Sequence, residues 1–397
     1  MPVRVMYASG PGDVVEAHRS WRQDRLHDSE VSITYSSQLE DALKKIPCVL
    51  YMQSSCKRAE VLIDGSWTIE NRPDRHPKAR GGFFHVVQTL NGLGLLFRAV
   101  RFRADVVFID SGRSNWFSLI PFKLAHKKVI PILHNAFWPA GERPSTLVKR
   151  SIQWLDSWFW RSVPCAIIVV SPECGRQVAE LGGGRSGPIL QIRAQYRPGC
   201  FDTIAPPPPH EQKPFVVMYA GRIERYKGVF DVVAMAATLQ ERRPGRFEWE
   251  MCGEGSVLEE LRQAVREAGL EPIIKIHGAL DRHQMSLAYG RAHVVVVPTR
   301  SNCSEAFAMV AAESVLAGRP FVASRIVPAS EVLADACIAA QPDDVESYVG
   351  AIESLASDKA LYDRKSRACS ELSKQFLDPS FGLESAVGRA LKTAFAD

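Results

Sequence analysis

The chain has 397 residues, too many for one ordinary hydrophobic core, so two domains are expected. Apolar residues make up 46% and charged residues 23%, the balance of a globular protein. The nine cysteines are odd in number, scattered and without a C-x-x-C pair, which indicates neither a disulfide frame nor a metal site and suits reduced thiols of a cytoplasmic protein.

The net charge of +5 is unevenly spread. Through residue 205 there are 27 Lys+Arg and 18 Asp+Glu, net +9; from residue 206 there are 22 and 26, net −4. A basic first half suits nucleic acid or an anionic membrane surface, and no recognisable nucleic-acid motif supports the former.

In chain order, the opening MPVRVMYASG reads as a strand, VRVMYA (3–8), entering a glycine turn, without the pattern of a secretory signal. Further strands are expected at CVLYMQ (48–53), VVFI (106–109), VIPILH (129–134) and AIIVV (166–170). NRPDRHPKARGG (71–82) is Pro/Gly-rich and basic, hence a loop. No stretch reaches 18 uninterrupted apolar residues, so no membrane-crossing helix is expected. Within 144–162, Lys149, Arg150 and Arg161 surround Trp154, Trp158, Phe159 and Trp160. Either these rings fill the core of the first domain, or they lie at a lipid headgroup boundary as a peripheral contact with the inner face of the cell membrane. Ser171 and Pro172 are the N-cap and first residue expected of a helix.

Four consecutive prolines, Pro206–Pro209, fit neither element and place the domain boundary. The strand pattern then begins afresh with FVVMYA (215–220), FEWEMC (247–252), IIKIHG (273–278) and VVVVP (294–298). Runs this apolar, alternating with helices, predict parallel sheets covered on both faces. The expected division is a first domain over 1–205 and a second over 206–378. A helix over 379–397 carries Leu383, Val387, Leu391 and Phe395 on one stripe and packs back on the first domain.

Chemistry concentrates at strand ends in the second half. In PTRSNCSEAFAMVAAESVLAG (298–318), a loop leads into a helix closed by Gly318. Glu305 and Glu313, if helical throughout, stand roughly 12 Å apart. That separation suits a sugar and a ribose flanking a diphosphate, with the N–H groups near Phe307, Ala308 and Met309 facing the phosphates. An amphipathic helix with two exposed glutamates is the plain alternative. In AGRIERYKG (220–228), Arg222 and Lys227 leave the carboxyl end of a strand and can neutralise a diphosphate leaving group, with Gly221 and Gly228 permitting close approach. CGEGS (252–256), through Gly253, offers a turn against which a base or ribose can lie; His277–Gly278 ends a strand where a backbone amide can read a base edge. Solvated loop charges and ordinary turns are the alternatives.

Together these residues resemble the retaining glycosyltransferases of family four, specifically over about 215–325 and more loosely before. The E-x(7)-E element is Glu305 to Glu313, the second element runs from Gly221-Arg222 to Lys227-Gly228, and the G-E-G turn is 253–255. The resemblance implies two facing Rossmann-like domains (the B-type glycosyltransferase fold) with a C-terminal crossover helix. It implies that Arg222 and Lys227 bind the donor diphosphate, Glu305 the sugar hydroxyls and Glu313 the ribose, with no metal. The chain contains no Asp-x-Asp. By the same resemblance His134, ending VIPILHNAF (129–137), faces the donor sugar. SGPGD, with Gly10 and Gly12, is favoured as the glycine loop of the first domain over Gly81-Gly82. The family has glycine where Ala306 and Ala308 stand here.

The function expected is transfer of a hexose from a nucleoside-diphosphate sugar, with retention of configuration, to a saccharide or polyprenyl-linked acceptor in bacterial polysaccharide or glycolipid synthesis. Besides that sugar co-substrate no cofactor is expected. A nucleotide-sugar epimerase would isomerise the donor without acceptor; a non-catalytic binding subunit would hold the donor without turnover. A dinucleotide oxidoreductase lacks its G-x-G-x-x-G after either domain's first strand.

Overall fold

A computed structural model describes residues 2–25, 31–74, 76, 79–112, 114–141 and 146–396. Arg75, Pro77 and Lys78 of the basic loop, and Pro144 and Ser145 of the Trp-rich segment, lie outside the described residues. The chain divides into two compact units: Met1–Phe137, Arg143–Gln195 and Asp378–Asp397 form the first, Trp138–Glu142 and Tyr196–Leu377 the second.

In the first unit the described strands are β1 (Val3–Pro11), β2 (Cys48–Ser55), β3 (Glu60–Asp64), β4 (Trp67–Arg72), β5 (Val106–Asp110), β6 (Lys128–Leu133), β7 (Ile167–Val169) and β8 (Ile189–Gln191). They form one sheet in the order β3-β4-β2-β1-β5-β6-β7-β8. All pairings are parallel except that of β3 with β4. Val5, Leu50, Val107, Ile130 and Ile168 are completely buried, as central strands covered on both faces require. The β3–β4 hairpin is absent from the sequence reading. β3 has only three apolar residues, Val61–Ile63, of which Val61 and Ile63 are exposed, and the hairpin turns through Gly65 at φ +58° into the polar-rich β4. A search for continuous apolar runs passes over such an edge.

The second unit contains β9 (Phe215–Ala220), β10 (Phe247–Cys252), β11 (Ile274–Gly278), β12 (Val294–Val297), β13 (Phe321–Ser324) and β14 (Cys337–Ala340), in the order β11-β10-β9-β12-β13-β14. All its pairings are parallel. Trp249, Val296 and Val322 are completely buried in its core, with helix residues Val232 and Ile352.

The division falls before the proline run, not at it. The Tyr196 N–H donates to the Phe376 carbonyl at 2.8 Å, and Arg319 Nη2 donates to the Ala205 carbonyl at 2.6 Å, so 196–205 already packs with the second unit. Prolines mark where no regular element can form, which need not be where packing changes. At the other end the Arg193 N–H donates to the Phe381 carbonyl (2.8 Å) and the Leu383 N–H to Gln38 Oε1 (2.9 Å), joining the last segment to the first unit.

That segment's helix spans Leu383–Phe395 and buries Leu383, Ala386, Val387, Ala390 and Ala394. The expected spacing-four stripe holds only at its start. Each step of four residues turns about 400°, so the stripe drifts off the core by roughly 40° per step. Phe395 is 41% exposed, and its ring holds the Lys128 ammonium 4.4 Å from its centroid. The Trp-rich helix, Leu147–Ser162, is likewise divided: Phe159 and Trp160 are buried, Trp154 and Trp158 exposed. One helix, Gly81–Phe102, is long and apolar enough to cross a membrane, with polar residues interrupting its apolar run. It nonetheless buries Val87, Leu95 and Ala99 against the first unit.

The helix expected to carry both glutamates begins only at Met309 and ends at Leu316, with Gly318 beyond it at φ +78°. Ala308 precedes it at φ +74°, ψ 91°, a conformation that costs a residue with a Cβ about 1–3 kcal/mol.

Two stability predictions follow from this packing. Leu383→Ala is expected to destabilise by about 2–5 kcal/mol and Leu391→Ala by less than about 1 kcal/mol, read as shifts in the urea midpoint of tryptophan fluorescence. Equal effects would show that the spacing-four stripe, and not the observed face, is the buried one. Ala308→Gly is expected to stabilise by about 0.5–2 kcal/mol, because relief of backbone strain exceeds the added entropy of the unfolded chain; a loss of stability in the same assay would contradict it.

Candidate functional site

In the second unit, the loops after β9, β10 and β11 meet the start of the helix Met309–Leu316 around a cavity of about 380 Å³. Gly221 and Arg222 line it from the first loop, Gly253 and Glu254 from the second, Ala279 and Leu280 from the third, and Met309, Val310 and Glu313 from the helix. All three loops leave the carboxyl ends of parallel strands, where open α/β sheets take ligands. The first two loops are tied by Ser256, whose N–H and hydroxyl donate to the Glu224 carboxylate at 3.0 and 2.6 Å, and their glycines meet backbone to backbone. A Cβ on Gly253 would sit 1.9 Å from the Gly221 carbonyl oxygen, so no side chain fits between them. Gly228, at φ +74°, approaches the Pro298 carbonyl as closely, at 2.0 Å for a built Cβ.

Five of the predicted residues therefore share one cavity: Gly221, Arg222, Gly253, Met309 and Glu313. Lys227 and Glu305 form a mostly buried ion pair in which Lys227 Nζ donates to Glu305 Oε2. Thr299 Oγ1 donates to the same oxygen at 3.5 Å. Burial and the Glu305 charge raise the pKa of the Cys303 thiol, while Lys227 and Arg222 act in the opposite sense. The Arg222 guanidinium lies 5.5 Å from the Tyr226 ring centroid.

Glu313 is half-buried and accepts a hydrogen bond from the Tyr289 hydroxyl at 3.2 Å. Burial pushes its carboxyl up to about 7, and the Tyr289 hydrogen bond opposes that shift. No side chain caps the helix start, and Met309 and Val310 of its first turn line the cavity.

Three expectations need correction. Glu305 is not on the helix with Glu313; it stands in the preceding loop, where its N–H donates to the Cys303 carbonyl at 3.1 Å. Phe307 and Ala308 are buried and do not line the cavity. The Phe307 ring packs 6.0 Å from Phe376, and its carbonyl accepts from the Ala329 N–H at 3.2 Å. His277 also lies outside the lining. Its Nε2 is 3.5 Å from Glu250 Oε2, a buried carboxylate that Arg291 grips through Nε and Nη2 at 2.6 and 2.7 Å. The cause is a bulge: Met251 pairs with Ile276 but Cys252 with Gly278, leaving His277 as the extra residue with its side chain re-aimed.

The first unit holds a separate constellation. Asp110 ends β5 and is buried; its Oδ2 accepts from the Tyr7 hydroxyl and from the Gly10 N–H, both at 2.8 Å. His134, just past β6, places Nε2 at 3.2 Å from Asp110 Oδ1 without hydrogen-bond alignment. Its ring stacks on Tyr35 with centroids 4.2 Å apart. Gly10 and His134 are thus joined through Asp110, a residue the sequence reading missed because a single acid at a strand end carries no spacing signal. Gly12 is one step removed: its N–H donates to the Ser55 carbonyl at 3.0 Å, and open space lies where a Cβ would point.

The family model for glycosyl transferases group 1 matches residues 201–375. Glycogen synthase of Mycobacterium tuberculosis (strain ATCC 25618 / H37Rv) is 27% identical over 226 residues, covering 56% of this chain and 53% of that protein. The chain thus spans about half the length of the first curated relatives it matches. Sucrose-phosphate synthase from Thermosynechococcus elongatus superposes with a TM-score of 0.72 at 16% identity, covering 99% of each chain. Anabaena HepE, solved in complex with UDP and glucose, gives 0.65 at 14% identity, covering 98% of this chain and 100% of that one. The matched segment contains every cavity-lining residue of the second unit, and the structural likeness extends over the whole length. Over residues 201–375 the chain matches the glycosyl transferases group 1 pattern, and over its whole length it has the B-type glycosyltransferase fold.

Proposed function

We propose that this glycosyltransferase moves a hexose from a nucleoside-diphosphate sugar to a saccharide or polyprenyl-linked acceptor, with retention of configuration and without a metal. The observation that carries the reading is the cavity shared by Arg222, Glu313 and an uncapped helix start, with the Lys227–Glu305 pair beside it. A diphosphate needs cations and N–H donors, and the hydroxyls on either side of it need carboxylates. The nucleotide and sugar held by HepE supply the same chemical groups.

In the free protein Lys227 is neutralised by Glu305. A donor diphosphate would draw the ammonium to its own oxygens, releasing the carboxylate to accept hydrogen bonds from the sugar. As the bond from the anomeric carbon to the phosphate oxygen breaks, Arg222, Lys227 and the helix N-terminus would hold the charge that gathers on the leaving group. The acceptor hydroxyl then bonds to that carbon from the same face, and its proton passes to the departing diphosphate. Glu313 would grip the ribose. His134, held between Asp110 and Tyr35, would face the sugar from the first unit, which takes the acceptor.

A panel of nucleotides and nucleotide sugars in a thermal-shift assay tests the donor site. One donor is expected to raise the melting temperature, by mass action on the folded state, and Glu313→Ala should abolish the rise. Lys227→Gln, which leaves Glu305 a hydrogen-bond donor, is expected to lower kcat by about 100- to 1000-fold, as loss of a transition-state charge partner does. Stabilisation by no nucleotide would sink the reading. Donor binding without turnover on any acceptor would instead favour a binding subunit, and isomerised free donor an epimerase.

The elevated Glu313 pKa adds a pH test. Hydrogen bonds from ribose hydroxyls require the carboxylate, so binding must remove a proton from Glu313 below about pH 7. Affinity for the nucleotide sugar is expected to rise with pH up to about that value, by at most about tenfold per unit, and to level off above it. Isothermal titration from pH 5.5 to 8.5 should show this slope, and Glu313→Gln should flatten it. A flat wild-type profile would remove Glu313 from the ribose site.

A further inference from the structure

The helix Gly81–Phe102 has an outer face that packing within the first unit does not explain. Phe83, Val86, Leu90, Leu93, Phe97 and Val100 are all exposed, Leu90 and Phe97 to 61% and 68%. At 100° per residue these six fall within an arc of roughly 100° and run for about 25 Å along the axis. The opposite face is committed to the protein. Gly92 lies so near the turn Trp116–Leu119 that a Cβ would stand 1.9 Å from Ser118 Oγ, and Asn115 Nδ2 donates to the His85 carbonyl at 2.9 Å. The helix therefore cannot stand in lipid on all sides, although its length and composition would allow it to span.

The same turn holds the helix Leu147–Ser162: the Phe117 N–H donates to Asp156 Oδ1 at 2.8 Å. That second helix exposes Leu147, Val148, Trp154 and Trp158. Neither outer face carries an acid. The span 81–102 has no Asp or Glu, and Asp156, the only acid in 147–162, is buried. Residues 72–161 contain 15 Lys+Arg and 5 Asp+Glu, net +10, which exceeds the +9 of the whole first half. Arg80, Arg101, Lys149, Arg150 and Arg161 stand exposed within these helices or at their ends.

We infer that these two helices form one docking surface for an anionic lipid bilayer. The stripe of Phe83, Leu90 and Phe97 enters the boundary between headgroups and acyl chains, Trp154 and Trp158 lie at that boundary, and the bordering cations meet lipid phosphates. Charge selects this occupant. A second copy of the chain would set the same uncompensated cations against each other, whereas phosphate headgroups neutralise them.

Co-sedimentation of the full chain with vesicles tests the surface. Binding to vesicles of equal parts phosphatidylglycerol and phosphatidylcholine is expected to exceed binding to pure phosphatidylcholine by at least about tenfold. A blue shift of tryptophan fluorescence should accompany it. The triple variant Phe83→Ser, Leu90→Ser, Phe97→Ser should lower the partition coefficient at least about tenfold. Because these side chains are already exposed, it should retain the melting temperature and its shift with nucleotide sugar. The inference is overturned if the wild type ignores anionic vesicles or if the triple variant binds them equally well. It is equally overturned if sedimentation velocity finds a wild-type dimer that the variant turns into a monomer, since the face would then belong to a second copy. Failure of donor binding alone would sink the glycosyl-transfer reading and leave this surface standing.

Discussion

A parallel sheet whose strand order reverses cannot keep its flanking connections together: at the reversal they leave to opposite faces and open a crevice at the carboxyl edge. Both sheets are built around such a point. In the first unit it falls between β1 and β5, in the second between β9 and β12. Asp110, Gly10 and His134 gather at the first; Arg222, Gly253, Glu313 and the Lys227–Glu305 pair gather at or beside the second. Chemistry distant in sequence is brought together because each residue follows a strand, and the strands end on the same edge.

That edge is crowded, and the crowding selects small residues. Gly253 against the Gly221 carbonyl and Gly228 against the Pro298 carbonyl leave no room for a side chain. Ala308 meets the same demand differently. It has the space for its methyl group but holds a backbone conformation natural to glycine, and the strain sits at the start of the helix that would receive phosphate. Local instability and ligand recognition thus coincide, as they do where a site is preformed before its ligand arrives.

The electrostatics of the second unit follow the same logic. Lys227 and Glu305 satisfy each other, and Glu313 is held near neutrality by burial. Neither carboxylate is left isolated in the protein, where an unpaired charge would cost several kcal/mol. A ligand bearing two negative charges and hydroxyls on both sides can exchange those internal partners for its own groups. The basic helices of the first unit show the contrasting case, in which cations gather without acids beside an exposed apolar stripe.

The amino-acid sequence by itself determined the α/β class, the parallel strands and the strand-end motifs, because continuous β-branched runs and glycines at turns are local signals. Gly221, Arg222, Gly253 and Glu313 could be grouped from sequence since each sits just beyond a strand or on the helix after one. Tertiary structure decided the rest. A bulge of one residue turned His277 away from the cavity toward Glu250, and no local pattern announces a bulge. Asp110 became the centre of the first unit's constellation only through pairing between distant strands. The helix Gly81–Phe102 is apolar on nearly every side, so periodicity cannot tell which face is covered. Burial is a property of what packs alongside, and only the folded chain supplies that neighbour.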